Sequence, residues 1–343
     1  MQKEITEKCQ LLDENGNLTC AGYARKLYPE YNKKTDFKSR FRTKEWDYYY
    51  IGNNHYGLAL TIDDNGYMGL DSISFLDFDN VWEITKSPMQ VFTMGKKNLP
   101  PTSEIGDIEV KTSNYAMSFH NNGSTRELSG FMNNFRDKEA IMFEVTLSDI
   151  PEDTLVIVTP FEKERHFYYN QKINCMRAEG YVQIGEERYE FHKEDSFATL
   201  DWGRGIWTYD NNWYWSSLNA DIDGEAFGFN LGYGFGDTSA ASENMLFYKG
   251  KGHKLDRVTF NIPKKEDGKE DYMSEWTITS NDNRVNLTFH PVLYRKALTN
   301  ALIILSDQNQ IFGKFNGTCI LDDGTVITLN DVMAFAEKVH NKW

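Results

Sequence analysis

From Trp46 onward, apolar and polar residues alternate with a period of two. Leu58, Leu60 and Ile62 alternate with Gly57, Ala59 and Thr61, and Asp64-Asn65-Gly66 follows. That is a strand ending in a turn whose residues tolerate positive φ. The same signature predicts strands at 82–85, 108–111, 115–120, 140–147 and 154–159. Turn signals recur roughly every ten residues or more, which is the spacing of an all-β sandwich or barrel. No βαβ alternation occurs, so a doubly wound fold is excluded. Residues 1–45 are polar and read as a loop-rich lead-in. Residues 161–195 form a junction: the aromatic strand FYYNQKINCM, a short hairpin and a charged link. WTITSNDNRVNLTFHPV reads as a hairpin, and ALIILSDQNQIFGKFNGTCILDDGTVITL as a three-strand meander turning at 307–309 and at Asp322-Asp323-Gly324. The last segment is ambiguous. Val332, Phe335, Ala336 and Val339 fit a helical stripe, whereas Phe335, Glu337 and Val339 fit one face of a strand.

The densest pattern lies at 199–237. In 227–236, Phe227, Phe229, Leu231, Tyr233 and Phe235 occupy one face, and Gly228, Asn230, Gly232, Gly234 and Gly236 the other. Glycine weakens a strand by roughly 0.5–1 kcal/mol relative to Ala, so a bare face implies a tight bend or close approach by something else. Either neighbouring rings lie over the glycines or the glycines floor a ligand cavity. The preceding run, NNWYWSSLNAD, puts Trp213, Trp215, Ser217 and Asn219 on one face. Ile222-Asp223-Gly224 should join the two as an antiparallel pair.

Carboxylates stand close by: Asp201, Asp210, Asp237 and Glu243. A carboxyl flanked by indoles is desolvated and can donate a proton near neutral pH. Asp201, between Leu200 and Trp202, fits that role. Arg204 either shares the site or pairs with Asp201 and holds it ionised. Trp202, Trp207, Trp213, Trp215, Asn230, Tyr233, Asp237 and Glu243 complete the candidate ligand contacts, although Asp237, before Thr238-Ser239, also suits a turn cap. Indoles are the common filling of cores, and they also stabilise cations. His166 and Lys172 read either as polar groups of a site or, as the favoured role, as surface ion-pairing residues.

Composition narrows the partners. The 343-residue chain carries a net charge of −14, which repels phosphate backbones and anionic lipid and argues against nucleic acid. The four cysteines, Cys9, Cys20, Cys175 and Cys319, form no CxxC pair and read as free thiols in a reducing cytoplasm. The seven histidines are scattered with no HxH or HExxH grouping, so neither metal nor another cofactor is expected. No apolar leader or ~18-residue apolar run occurs, so a soluble cytoplasmic protein with no stable membrane insertion is expected.

ATLDWGRGIWTYDNNWYWSSLNADIDGEAFGFNLGYGFGDTSAASENMLFY, FYYNQKINCMRAEG and LDDGTVITLNDVMAFAEKVHNKW resemble DUF2804, an uncharacterised bacterial family, over most of the chain. This family is distantly similar to the AttH and carotenoid hydratase (hydroxyneurosporene synthase) group. That resemblance implies two lipocalin-like β-barrels and cofactor-free chemistry on isoprenoid or polyene substrates. The hydratases' block of an acidic residue, His and Trp-Gly is echoed by Asp201-Trp202-Gly203, without the His. The expectation is therefore two antiparallel β-barrels, 1–195 and 196–343. They would bind an apolar, isoprenoid or lipid-like molecule, with possible hydration, cyclisation or isomerisation and Asp201 as acid. A non-catalytic carrier and a carbohydrate-active or carbohydrate-binding protein using Trp platforms are the alternatives. The oligomeric state is not legible.

Overall fold

The computed structural model describes residues 2–33, 41–301 and 304–342. No helix forms among them; strands account for the regular structure, and nearly all pairings are antiparallel. The strands predicted at 82–85, 108–111, 115–120, 140–147 and 154–159 form within a residue or two at either end. The one predicted over 227–236 ends at Tyr233, so Phe235 packs with Trp207 and Trp213 and not with Phe227 and Phe229. FYYNQKINCM runs on to Ile184.

The first sheet winds from Trp82–Lys86 through Met68–Asp77, Tyr56–Asp64 and Thr43–Gly52 to Phe197–Ile206, then through Phe167–Ile184, Glu139–Ser148, Arg126–Arg136 and Tyr115–Asn121 to Ile108–Lys111. It curls back on itself, bringing the Arg136 guanidinium 5.7 Å from the Trp82 ring centre. The second sheet runs from Lys251–Lys254 through Met245–Tyr248, Glu225–Tyr233, Asp210–Ile222, Val326–Lys342, Ile304–Ile320, Val285–Ala301 and Trp276–Ser280 to Val258–Asn261. It curls likewise: the Phe260 amide donates to the Tyr233 hydroxyl at 3.3 Å. Each sheet wraps its own apolar core, one around Tyr49, Phe75, Phe143 and Trp202, the other around Phe229, Trp276, Phe289 and Phe315. The architecture is two lipocalin-like antiparallel β-barrel units packed together.

The chain leaves the first sheet after Ile206 and enters the second at Asp210. Phe197–Ile206, which follows the expected boundary at 195, pairs within the first sheet. The N-terminal lead-in holds three short strands and staples the units together: the Lys3 amide donates to the Ala240 carbonyl, and Arg25 bonds Asp153 on one side and the Gly252 carbonyl on the other.

Two local readings are corrected. No turn forms at 307–309: these residues lie within one 17-residue strand, Ile304–Ile320, paired on both edges. Their polar side chains find partners within the sheet, as Asn309 does with the Tyr294 hydroxyl and Gln310 with Arg295. The ambiguous C-terminal segment is a strand, Val326–Lys342, held between Asp210–Ile222 and Ile304–Ile320. Two flanking ladders outweigh a helical stripe of four residues.

Candidate functional site

Alternation fixes what faces the gap between the units. On the first sheet, Tyr48 pairs with Asp201, which in turn pairs with Lys172; Trp46, Gly203 and Asn170 form the next row. On the second sheet, Trp215 pairs with Gly232 on one side and with Glu337 on the other. These rows meet. The predicted hairpin joins the tryptophan and glycine strands through Asp223 and Gly224, both at positive φ (55° and 85°). Of the predicted bare face, Gly228 meets the other unit, a Cβ there lying 2.7 Å from the Cys175 sulfur, whereas one on Gly232 would rest 3.5 Å from the Glu243 carboxyl carbon of its own unit. Gly234 and Gly236 lie beyond the strand's end, at positive φ.

The centre of this interface is a buried polar cluster. The Lys172 ammonium lies 2.8 Å from Asp201 Oδ2, and Asn170 Nδ2 donates to Asp201 Oδ1 at 2.5 Å. The same ammonium sits 4.0 Å from the centre of the Trp215 ring. Trp215 Nε1 donates to Asn230 Oδ1 at 2.7 Å, and Asn230 Nδ2 donates to the Glu243 carbonyl at 2.7 Å. Glu337 accepts from Trp213 Nε1 at 2.9 Å and from Gln310 Nε2 at 3.0 Å. The Glu243 carboxyl has no hydrogen-bond partner among the described residues, although the residue is only 7% exposed.

Burial sets the electrostatics. It pushes Glu243 up to about 7; Lys172 and Lys254 oppose this and Asp201 reinforces it. Burial likewise carries Glu337 up to about 7, with Asp201 adding to the rise and Trp213, Lys172 and Arg295 opposing it. Lys254 is driven down to about 7 by burial against the pull of Asp256 and Glu243. The Tyr168 phenol is held well above its ordinary value by burial, then by Glu243, Asp201 and Glu337. Two carboxyls that change charge near neutrality thus flank a lysine–aspartate pair. Aromatic layers close the cluster on both sides. Tyr168, Trp207 and Phe235 lie on one; Tyr50, Phe312 and Phe335 lie on the other. No group of His, Cys, Asp and Glu suited to a metal ion occurs among the described residues.

The sequence profile of a domain of unknown function, DUF2804, matches residues 2–343. The chain belongs to the DUF2804 family. No curated protein sequence matches it. Among solved structures, kievitone hydratase from Nectria haematococca superposes with a TM-score of 0.50 at 11% identity, over 88% of each chain. An AttH-like protein from Nitrosomonas europaea superposes with a TM-score of 0.54 at 11% identity, over 92% of this chain and 98% of its own. At such identity the likeness is one of fold.

In this DUF2804 chain the residues singled out from sequence are divided. Asp201, Trp213, Trp215, Asn230 and Glu243 converge on the cluster, and Trp207 stands in the aromatic layer beside it, 6.2 Å from Trp213. Trp202 and Arg204 do not, because even positions of that strand face the interior of the first unit. Trp202 meets Tyr169 edge-on at 5.2 Å. Arg204 is fully buried there, bonded to Asp47 and to the carbonyls of Trp46, Gly203 and Pro100. The pairing of Asp201 with Arg204 is thereby overturned: residues three apart on a strand lie on opposite faces. Tyr233 stacks on Tyr214 on the inner side of the second unit. Asp237 is exposed and caps a turn through the Ser239 amide. Lys172, read as a surface residue, is 3% exposed. His166 lies at the surface, against the Glu164 carbonyl.

Sequence reasoning favoured a surface role for Lys172 and missed Glu337. Both signals existed: Tyr168, Asn170, Lys172 and Asn174 form one polar face of a strand, and Glu337 stands between Phe335 and Val339 on another. Neither face could be assigned a partner before the sheets were known.

Proposed function

We propose that the protein performs cofactor-free acid–base chemistry on an apolar, isoprenoid or lipid-like small molecule held between its two units, with Glu243 as the proton donor. The observation that carries this reading is a buried carboxyl, poised near 7, without a hydrogen-bond partner among the described residues. Such a group is about half protonated at neutral pH, so it can both donate a proton and take one back. Asp201 is a poorer donor, because Lys172 and Asn170 occupy both of its oxygens; it serves as the counter-charge. Lys172 over Trp215 is itself a cation seated on an indole face, the interaction that would stabilise a carbocation. In the scheme, Glu243 protonates a carbon–carbon double bond. Water or a second double bond captures the cation, and the proton released returns to the carboxylate. Hydration, the reaction in the name of one fold neighbour, is one such outcome; cyclisation and isomerisation are the others. Entry requires the surrounding rings to part, since the acidic groups are 7–9% exposed.

The carrier reading lacks its expected Asp201–Arg204 pair. The carbohydrate reading needs open indole platforms, and Trp207, Trp213 and Trp215 are instead packed edge-on against one another or against Phe235 and Phe335. Native mass spectrometry of protein purified from its own host, with extraction of what co-purifies, should yield an apolar ligand. Glu243→Gln should then retain that ligand but lose turnover, read as gain of one water or as rearrangement at constant mass. Undiminished turnover in that variant would remove the acid role.

A further inference from the structure

A separate cavity lies along the same interface. A cavity of about 660 Å³ opens between the units, walled by the turn after Thr43–Gly52, by Glu194–Phe197 from the link before the next strand, and by the ends of two second-sheet strands. Its floor holds Tyr50, Phe197, Ser217 and Met333. These lie two to four residues further along the strands that carry Tyr48, Asp201, Trp215 and Glu337, roughly 7–13 Å from the acidic cluster at ~3.3 Å per residue. Phe335 and Phe312, packed on Tyr50 at 5.5 Å, stand between the two places.

Two independent features give this cavity a chemical preference. Its charged walls are almost wholly acidic: Glu194, Asp195, Asp221 and Asp223 line it, with His55 and no lysine or arginine. Asp221 is compensated by Arg177 at 2.6 Å, and His55 is held by Asp79 at 2.9 Å. Asp195 accepts only from the neighbouring Ser196 hydroxyl. Glu194, Asp195 and Asp223 therefore face the cavity without a cationic partner among the described residues. The second feature is Tyr50. It is 6% exposed, and its hydroxyl finds no hydrogen-bond partner among the described residues. Gly52 and Gly57 leave room for its ring, so that a Cβ on Gly57 would come 3.0 Å from the hydroxyl oxygen. Gly52 is itself a wall of the cavity. A buried hydroxyl without a partner is costly and calls for one. The floor beside it, Phe197, Met333 and Ala334, is apolar.

We infer that this cavity binds a small organic cation, an ammonium group carried on a compact apolar body. The ammonium would meet Asp195 and Glu194 and donate to the Tyr50 hydroxyl, with the body against Phe197 and Met333. This site is separate from the acidic cluster, and it does not depend on the chemistry proposed there.

Three probes of one shape and different charge test it by titration calorimetry on the full chain: phenethylamine, 2-phenylethanol and phenylacetate. Phenethylamine should bind at least tenfold more tightly than the alcohol, and phenylacetate should not bind at millimolar concentration. Glu194→Gln with Asp195→Asn, both at exposed positions that tolerate the change, should weaken the amine at least fivefold and the alcohol less than twofold. Tyr50→Phe, which removes only the unpartnered hydroxyl, should weaken the amine while leaving the unfolding midpoint unchanged or raised. Glu243→Gln should leave amine binding intact, which separates failure here from failure of the acid–base reading. Equal affinity for amine and alcohol, tighter binding of phenylacetate, no binding of any probe, or acid variants that bind as the parent does would each overturn the inference.

Discussion

Glu243 ties the proposed chemistry to a measurable stability. Burial moves its carboxyl from an ordinary 4.5 to about 7 in the folded chain. At roughly 1.4 kcal/mol per pH unit, that displacement amounts to about 3 kcal/mol. The sign follows from proton counting. Between 4.5 and 7 the folded state binds the proton that the unfolded state has released. Glu243's contribution is therefore fully present below about 4.5 and is lost as pH rises through 7. Glu243→Gln replaces a titrating group by a neutral one of the same shape. The variant should match the parent near pH 5 and exceed it by about 2–3 kcal/mol at pH 8.5. Urea unfolding of both proteins at a series of pH values isolates the difference, because Glu337 and Lys254 titrate in both. A difference that is flat with pH would mean that Glu243 is not protonated at neutrality, and the acid role would fall with it.

Three further outcomes are expected. Gly203 lies directly beneath the Trp46 ring, which a Cβ would overlap; Gly203→Ala should cost about 1–3 kcal/mol by thermal or urea unfolding, and Trp46→Leu should recover part of it. Lys172→Met leaves the Asp201 carboxylate uncompensated at the interface and should cost about 3 kcal/mol, with Asp201→Asn restoring most of it in the double variant. Because Lys172 also draws Glu243 and Glu337 down, the same variant should raise the pH at which tryptophan fluorescence reports their ionisation. Trp215→Phe removes the donor to the fully buried Asn230 oxygen and should cost about 1–3 kcal/mol by urea unfolding.

Much of the fold was legible because its signal is local. Period-two alternation and Asp/Asn/Gly turns placed the strands, and the Asp223-Gly224 hairpin fixed the register of the tryptophan and glycine strands within one sheet. The turn expected at 307–309 failed because polar residues there find partners inside the sheet, which composition cannot reveal. The site was only half legible. Its second-sheet side was visible as the unusual glycine and tryptophan faces. Its centre depends on Lys172 and Glu337, separated from Asp201 by 29 and 136 positions along the chain. Only the docking of one sheet on the other brings them together. The three-residue spacing of Asp201 and Arg204 suggests a pair, yet a strand turns them to opposite sides.

The proposed function sits at the interface and not inside a barrel. A lipocalin-like unit usually offers its lumen to a ligand, but here both interiors are filled. Tyr49, Tyr169, Trp202 and Arg204 occupy the first, and Trp276, Phe289, Phe315 and Phe229 the second, all at most 2% exposed. In the first interior Arg204 bonds Asp47 and three carbonyls, while its Nε and Trp202 Nε1 have no hydrogen-bond partner among the described residues. Between the units, the Tyr50 hydroxyl is enclosed without a hydrogen-bond partner among the described residues, and Glu243 is only 7% exposed. Meanwhile Asn174 binds the units firmly through the Ser217 hydroxyl, the Asn219 oxygen and the Phe229 carbonyl at 2.8–3.1 Å. Buried polar groups are normally satisfied, and the Tyr50 hydroxyl, at the wall of the interface cavity, is the orphan that the proposed ligand would satisfy. Gly228 serves the same contact: a Cβ there would lie 2.7 Å from the Cys175 sulfur, so its bare face lets the two sheets approach.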